Sequence, residues 1–162
     1  MVDEGELAPE FSLPMAQGRS YNDIEEFSLS DALSEGPVVL AFVPAAFTSG
    51  CTDELCTFTD SLDAFEDLDA GVYGVSADLS FAQNVWMERD GIDVPLLADQ
   101  DREVIRAYDV VLEDMYGHFE VAQRSVFVVA ADGTVAYKWV RGEETPDFEE
   151  LAAEIRNELA AL

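Results

Sequence analysis

Cys51 is the side chain best placed in this sequence to act as a nucleophile. It sits in the stretch Val43-Pro44-Ala45-Ala46-Phe47-Thr48-Ser49-Gly50-Cys51-Thr52-Asp53-Glu54-Leu55-Cys56, between an apolar run and an amphipathic one. A thiol near the first turn of a helix faces unpaired backbone N–H groups and the positive end of the helix dipole, and both favour an anion. The position therefore favours the thiolate, which is the reactive form. Thr48, three residues earlier, can turn a hydroxyl toward the same spot. Pro44 removes a donor and fixes the chain direction at the end of the preceding strand, which leaves the loop amides free to point at a bound substrate. The plainer alternative for a lone cysteine is a small buried core residue.

Cys56 follows five residues after Cys51. Five residues of helix turn the chain by roughly 500° and advance it by about 7.5 Å. The two sulfurs then lie on different faces, with Cα atoms beyond the roughly 7 Å that a disulfide tolerates. A bond between them requires the first helical turns to unwind, and a simple core position for Cys56 stays open. Arg124 is the third candidate, because it stands just before a β-rich run in a chain with few cations. A guanidinium beside a cysteine favours the thiolate and can hold a developing oxyanion; the alternative is a salt bridge to one of the many carboxylates. His118, the single histidine, lies between Gly117 and Phe119 and has no partner with metal-ligand spacing, so a structural or surface position is expected for it.

The elements that must position these residues alternate between strand and helix. Pro37 to Phe42 reads as a buried strand and Cys51 to Leu68 as one helix with an apolar face of Leu55, Phe58, Leu62, Phe65 and Leu68. Upstream, Gly5 to Leu13 reads as extended, with Leu7, Phe11 and Leu13 able to point inward. Gln17 to Asn22 is a polar turn. Phe27 to Leu33 is a short strand entering one helical turn with Ser30 as its N-cap. Downstream, Gly71 to Ser76 is a second buried strand and Ser80 to Arg89 a helix carrying Phe81, Val85 and Trp86 on one side, stopped at Asp90-Gly91. Val94 to Asp99 is a short strand, followed by a helix from Arg102 to Tyr108. Val110 to Gln123 gives no clear pattern. Arg124 to Tyr137 holds two β-rich runs around Asp132-Gly133, a hairpin signal. Pro146 to Leu162 is a closing helix with Pro146 in its first turn and Phe148, Leu151, Ile155 and Leu159 at helical spacing. Such alternation implies an α/β layer fold with helices on both faces of a central sheet.

The chain has 162 residues, enough for one domain spanning 1–162 with a full core. Its 35 Asp and Glu face 8 Lys and Arg, of which only Lys138 is a lysine, for a formal charge of −27. That balance argues against nucleic acid or an anionic membrane surface as partner. The carboxylates are spread over nearly every segment, which suits a surface built for a salty cytoplasm: near 1 M salt the Debye length is only about 3 Å and self-repulsion is screened. Two cysteines are no disulfide scaffold. The acidic start lacks a signal-peptide pattern, and no apolar run approaches the roughly 18 residues of a membrane span. A cytoplasmic location is the expectation.

Pro44, Thr48 and Cys51 form a Pro-x-x-x-Thr-x-x-Cys arrangement that resembles the peroxiredoxins. The resemblance extends to Gly5-x-x-Ala8-Pro9-x-Phe11-x-Leu13, Val75-Ser76-Ala77-Asp78, Pro95-Leu96-Leu97-x-Asp99 and Arg124-Ser125-Val126-Phe127-Val128, and so covers nearly the whole chain. The bacterioferritin-comigratory (PrxQ-like) branch or the AhpE-like one is the nearest in kind. It implies a thioredoxin-like fold with a central mixed sheet flanked by helices, and a thiol-dependent peroxidase acting in antioxidant defence. It implies that Cys51 is the peroxidatic nucleophile, that Thr48 and loop amides hold the peroxide oxygens, that Pro44 shields the site and that Arg124 completes it. Glu54 matches a position where the family often has a glutamate that orients such an arginine, although a plain surface charge fits equally. In the PrxQ-like branch a cysteine five residues after the nucleophile resolves it, which makes Cys56 the candidate resolving cysteine.

The implied partners are a hydroperoxide and a thioredoxin or similar dithiol reductant. No metal or cofactor is implied, and the family includes monomers, homodimers and rings. Two other readings are a general thiol–disulfide oxidoreductase, which normally carries Cys-x-x-Cys, and a non-catalytic acidic binding protein.

Overall fold

The computed structural model describes residues 2–162. Its sheet is assembled on β3 (Val38–Phe42), the apolar run that precedes the Cys51 segment, in which every residue is buried. On one side β3 pairs in parallel with β4 (Gly71–Ser76), which pairs in parallel with β5 (Leu96–Ala98). On the other side it pairs antiparallel with β8 (Ser125–Val129), and β8 with β9 (Val135–Val140). A hairpin of β1 (Ser12–Ala16) and β2 (Ile24–Ser28) joins antiparallel to β5, so the order is β2-β1-β5-β4-β3-β8-β9. A strand buried on both faces must be apolar at consecutive positions rather than alternating, which is why Val38 to Phe42 and Ser125 to Val129 read as continuous runs.

The two faces of the sheet bury separate clusters. Val39, Ala41, Val126 and Val128 face Leu55, Phe58, Trp86, Leu151 and Ile155. These belong to α2 (Ser49–Asp60), α4 (Ser80–Asp90) and α6 (Phe148–Ala160). Val38, Leu40, Phe42 and Phe127 face Leu29 of α1 (Leu29–Leu33), Val104 and Ile105 of α5 (Glu103–Ala107), and Tyr108. The period of two along each strand thus sends alternate residues to opposite helical layers.

Several local expectations need correction. The helix expected from Cys51 to Leu68 is two, since Ser61 leaves helical geometry (φ −98°, ψ 0°) and α3 (Leu62–Glu66) begins after it. The break lets Phe65 meet Phe58 edge to face at 6.3 Å. Ser28, not Ser30, caps α1 and accepts from the Asp31 N–H. Leu7 is 71% exposed instead of inward, in a segment held at the sheet edge by an isolated bridge to Thr134 and by backbone hydrogen bonds of Gly5 and Glu6 to Val135. On α4 the buried face carries Gln83, Asn84, Trp86 and Met87, whereas Phe81 and Val85 are about half exposed. Buried hydrogen bonds explain the inversion: Gln83 donates to Ser76 Oγ and the Leu97 carbonyl, and Asn84 to the carbonyls of Tyr21 and Asp23. Asp147, not Pro146, opens α6, accepting from the N–H groups of Glu149 and Glu150.

The stretch from Val110 to Gln123 is a two-stranded ribbon of β6 (Val111–Met115) and β7 (His118–Ala122). Its turn places Tyr116 at φ 53° and Gly117 at φ 85°, the pair of positive values that a tight two-residue hairpin loop requires. Among the described residues, no helix is long and apolar enough to cross a membrane.

Candidate active site

The chain leaves β3 through Val43 and Pro44, and α2 starts at Ser49 with Thr48 as N-cap in extended conformation. Cys51 is therefore the third residue of α2, inside the turn whose N–H groups lack helical partners. The connecting loop is tied from β4: Asp78 Oδ2 accepts the Ala46 N–H at 2.8 Å and the Ser76 hydroxyl at 2.8 Å. Phe47 sits at φ 66°, a strained conformation for an aromatic residue, and is flanked by the Arg89 guanidinium at 5.3 Å and the Trp86 ring at 6.2 Å.

Arg124, 73 residues from Cys51 along the chain, reaches it from the end of β8. Its Nη2 donates to Cys51 Sγ at 3.3 Å and its Nη1 to Glu54 Oε2 at 2.8 Å. Cys51 and Glu54 lie three residues apart on α2 and so share a face, which allows one guanidinium to bridge them. Cys51 is 1%, Glu54 0% and Arg124 6% exposed. Phe148, at the start of α6, covers the guanidinium with its ring centroid 5.6 Å from Cζ.

The electrostatics of the pair are dominated by burial. Loss of water raises the Glu54 carboxyl to about 7, and the Arg124 charge offsets this only in part. Glu54 Oε1 explains the imbalance, since it is buried with no hydrogen-bond partner among the described residues. For Arg124, burial acts against the charge, but the Cys51 and Glu54 charges and the hydrogen bonds to both prevail and the guanidinium is held more firmly protonated.

Thr48 lies at the same place, but its hydroxyl hydrogen goes to the Ala45 carbonyl at 2.8 Å rather than toward the sulfur. That bond closes the loop and leaves the oxygen lone pairs as acceptors. Cys51, Thr48, Pro44 and Arg124 all line a cavity of about 510 Å³, with Asp53, Gln123, Arg141 and apolar walls from the β6–β7 ribbon and α6. Pro44 and Thr48 also border a larger cavity of about 970 Å³ beneath the other side of the ribbon, with Arg102, Arg106 and His118. His118 itself is exposed, and its Nδ1 lies 3.0 Å from the Met115 carbonyl.

Cys56 is on α2 as well, half-buried where Cys51 is buried, and both thiols are free. Its Sγ donates to the Asp90 carbonyl at 3.5 Å. Burial pushes its thiol up, and the charges of Asp90, Asp60 and Asp53 push the same way. The two thiols of one helix thus have opposite surroundings: a cation beside Cys51, carboxylates around Cys56.

Four contributors to the site are not evident from residue type and spacing. Gly50 makes room beside the guanidinium. Phe148 reads in sequence as a core residue of α6, yet it covers Arg124. Asp78 belongs to a matched segment that offers no role for it. Thr52 donates to the Thr48 carbonyl and accepts from the Trp86 indole N–H at 3.0 Å, locking the first turn of α2 to α4.

Residues 5–138 match the AhpC/TSA family. Peroxiredoxin Bcp of Bacillus subtilis is 31% identical over 140 residues, covering 85% of each protein. Among solved structures, peroxidoxin BcpB from Mycobacterium tuberculosis superposes with a TM-score of 0.85 at 30% identity, covering 100% of this chain and 99% of the other. PrxQ of Xylella fastidiosa gives a TM-score of 0.84 at 25% identity, covering 99% and 97%.

Proposed function

The chain belongs to the AhpC/TSA family and is a peroxiredoxin, a thiol-dependent peroxidase of thioredoxin-like fold; on that premise we propose that Cys51 is its peroxidatic nucleophile and Cys56 its resolving cysteine. The observation that carries this reading is the Arg124 Nη2 bond to Cys51 Sγ at 3.3 Å, in a cavity open to a ligand at the N-terminus of α2. The Cys51 thiolate attacks the terminal oxygen of a hydroperoxide ROOH. A sulfur–oxygen bond forms and the oxygen–oxygen bond breaks with its electron pair leaving on RO⁻, which takes up a proton to give ROH. Arg124 and the α2 amides oppose the negative charge throughout, while Thr48 supplies an acceptor and Pro44 a wall. Glu54 acts as a positioning residue, holding the far edge of the guanidinium.

The product at Cys51 is a sulfenic acid. Condensation with the Cys56 thiol releases water and forms a disulfide, which a thioredoxin-type dithiol reduces by two exchange steps. Both residues lie inside α2, so the condensation requires the start of that helix to unwind. Pairing of two copies as a homodimer, a cytoplasmic location and a salt-adapted surface belong to the same reading; the last is supported by the charge of −27.

Mass spectrometry after one equivalent of peroxide tests the two cysteine roles. Wild type should end as an intramolecular disulfide, Cys56→Ser as a sulfenic acid at Cys51, and Cys51→Ser unmodified. Peroxide consumption by Cys51→Ser would overturn the first role. Efficient recycling of Cys56→Ser by thioredoxin would overturn the second.

A further inference from the structure

The cavity that holds Cys51 is larger than its smallest substrate needs. About 510 Å³ is the size of a small-molecule site, whereas hydrogen peroxide occupies little more than the ~30 Å³ share of a water molecule. Beyond the sulfur the walls are apolar: Leu112, Met115 and Tyr116 from the β6–β7 ribbon, Pro146 and Phe148 from the start of α6. One wall is cationic. Arg141 follows β9 directly and pairs back to back with Arg124, its N–H donating to the Arg124 carbonyl at 2.9 Å. With Ser125 opposite Val140 in the ladder, Arg124 and Arg141 are directly opposed, so their side chains leave the sheet on the same face.

Like charges at directly opposed positions oppose each other. The Arg124 charge is met by Glu54 and the sulfur. Arg141 makes neither an ion pair nor a side-chain hydrogen bond among the described residues; only its backbone is engaged, by Arg124 and by Gln123 Nε2 at 3.3 Å. This is notable in a chain with 35 carboxylates for 8 bases. Arg19, Arg89, Arg106, Arg124 and Lys138 each have a carboxylate within 4 Å. Arg102 gives its hydrogens to the carbonyls of Glu120 and Gln100. Arg156 also lacks an ion pair among the described residues, but it lines neither the Cys51 cavity nor the larger one beside it. Asp53 lines the Arg141 cavity without pairing to it, and Glu143 and Glu144 on the following loop stay exposed. An unpaired guanidinium, an apolar wall and the nucleophile therefore share one cavity.

We propose that Arg141 is a specificity-determining residue, receiving the anionic group of an amphipathic organic hydroperoxide whose apolar body lies between the ribbon and α6 and whose peroxide end meets Cys51. This rests on the thiol-peroxidase reading and narrows it to a substrate class: hydroperoxides with a carboxylate or similar anion set apart from the O–O bond by an apolar chain. A guanidinium matches such an anion by bidentate, charge-assisted hydrogen bonds.

The test compares a carboxylate-bearing chain hydroperoxide with its own methyl ester, below the concentration at which either forms micelles and at fixed ionic strength. Second-order rates of Cys51 oxidation are measured by stopped flow, and hydrogen peroxide serves as the reference for the thiol itself. Wild type should favour the acid over the ester by about tenfold or more, the factor that a charge-assisted hydrogen bond supplies. Arg141→Gln should bring the acid-to-ester ratio to about one, Arg141→Lys should keep part of it, and Arg141→Glu should invert it. The ratio is taken within each variant, so a general loss of activity cancels. Equal rates for acid and ester in wild type, or an unchanged ratio in Arg141→Gln, would overturn the proposal. If hydrogen peroxide also fails to oxidise Cys51, the peroxidase reading falls and takes the proposal with it.

Discussion

A Cβ atom built on Gly50 would lie 3.1 Å from Nη2 of Arg124, the same nitrogen that donates to Cys51. Gly50 is the second residue of α2, where alanine is favoured over glycine by roughly 0.5–1 kcal/mol in helix propensity. The position thus trades helix stability for space beside the guanidinium. Gly50→Ala should fold with stability equal to or slightly above wild type. It should also push Nη2 a few tenths of an ångström away from the sulfur and slow Cys51 oxidation by hydrogen peroxide on the order of tenfold, given how steeply misplacement costs rate. Denaturant unfolding and stopped-flow peroxide kinetics on the same sample check it; a faster enzyme would show that the space serves something else.

Glu54 makes stability depend on pH in a direction opposite to that of an ordinary paired carboxylate. Its carboxyl is raised from 4.5 to about 7, with burial as the main cause, so the folded chain keeps a proton that the unfolded chain gives up. The stabilisation is complete below pH 4.5 and is lost as pH rises through 7. Glu54→Gln removes that titration while keeping the shape. Relative to this variant, wild type should lose stability on the order of 3 kcal/mol between pH 4.5 and 8. Unfolding curves at both pH values and constant high salt test this, and curves that shift in parallel for the two proteins would refute it.

A formal charge of −27 on 162 residues predicts a dependence on salt that contacts within the fold do not supply. Screening several kcal/mol of repulsion, at roughly 2–4 °C per kcal/mol for a chain of this size, should raise the melting temperature by about 10 °C between dilute and multimolar KCl. Calorimetry across that range is decisive. A flat or falling melting temperature would remove the case for a salt-adapted surface.

The sheet and the Cys51 segment were legible in the sequence because their signals are local. Val38 to Phe42, Gly71 to Ser76 and the runs around Asp132-Gly133 are apolar stretches bounded by turn residues, and all three became strands. Cys51 and Arg124 could be linked before any coordinates only through family resemblance. Nothing local says that residues 73 positions apart meet. The β6–β7 ribbon escaped because its strands are mostly exposed or half-exposed, so alternation against a core is weak there. The inverted face of α4 escaped for a related reason. Gln83 and Asn84 read as surface residues until buried carbonyls and hydroxyls are found to be their partners. Gly50 and Arg141 act through what is absent around them, a methyl group in one case and a carboxylate in the other, and a sequence pattern carries no signal for either.

Trp86, buried completely on α4, gives its indole N–H to the Thr52 hydroxyl, one residue beyond Cys51. If a Cys51–Cys56 bond forms only after the start of α2 comes apart, Thr52 leaves the indole as it does so, and the ring meets a different polarity. The molecule then carries its own optical gauge: its ultraviolet emission would register closure of the disulfide, with no dye attached.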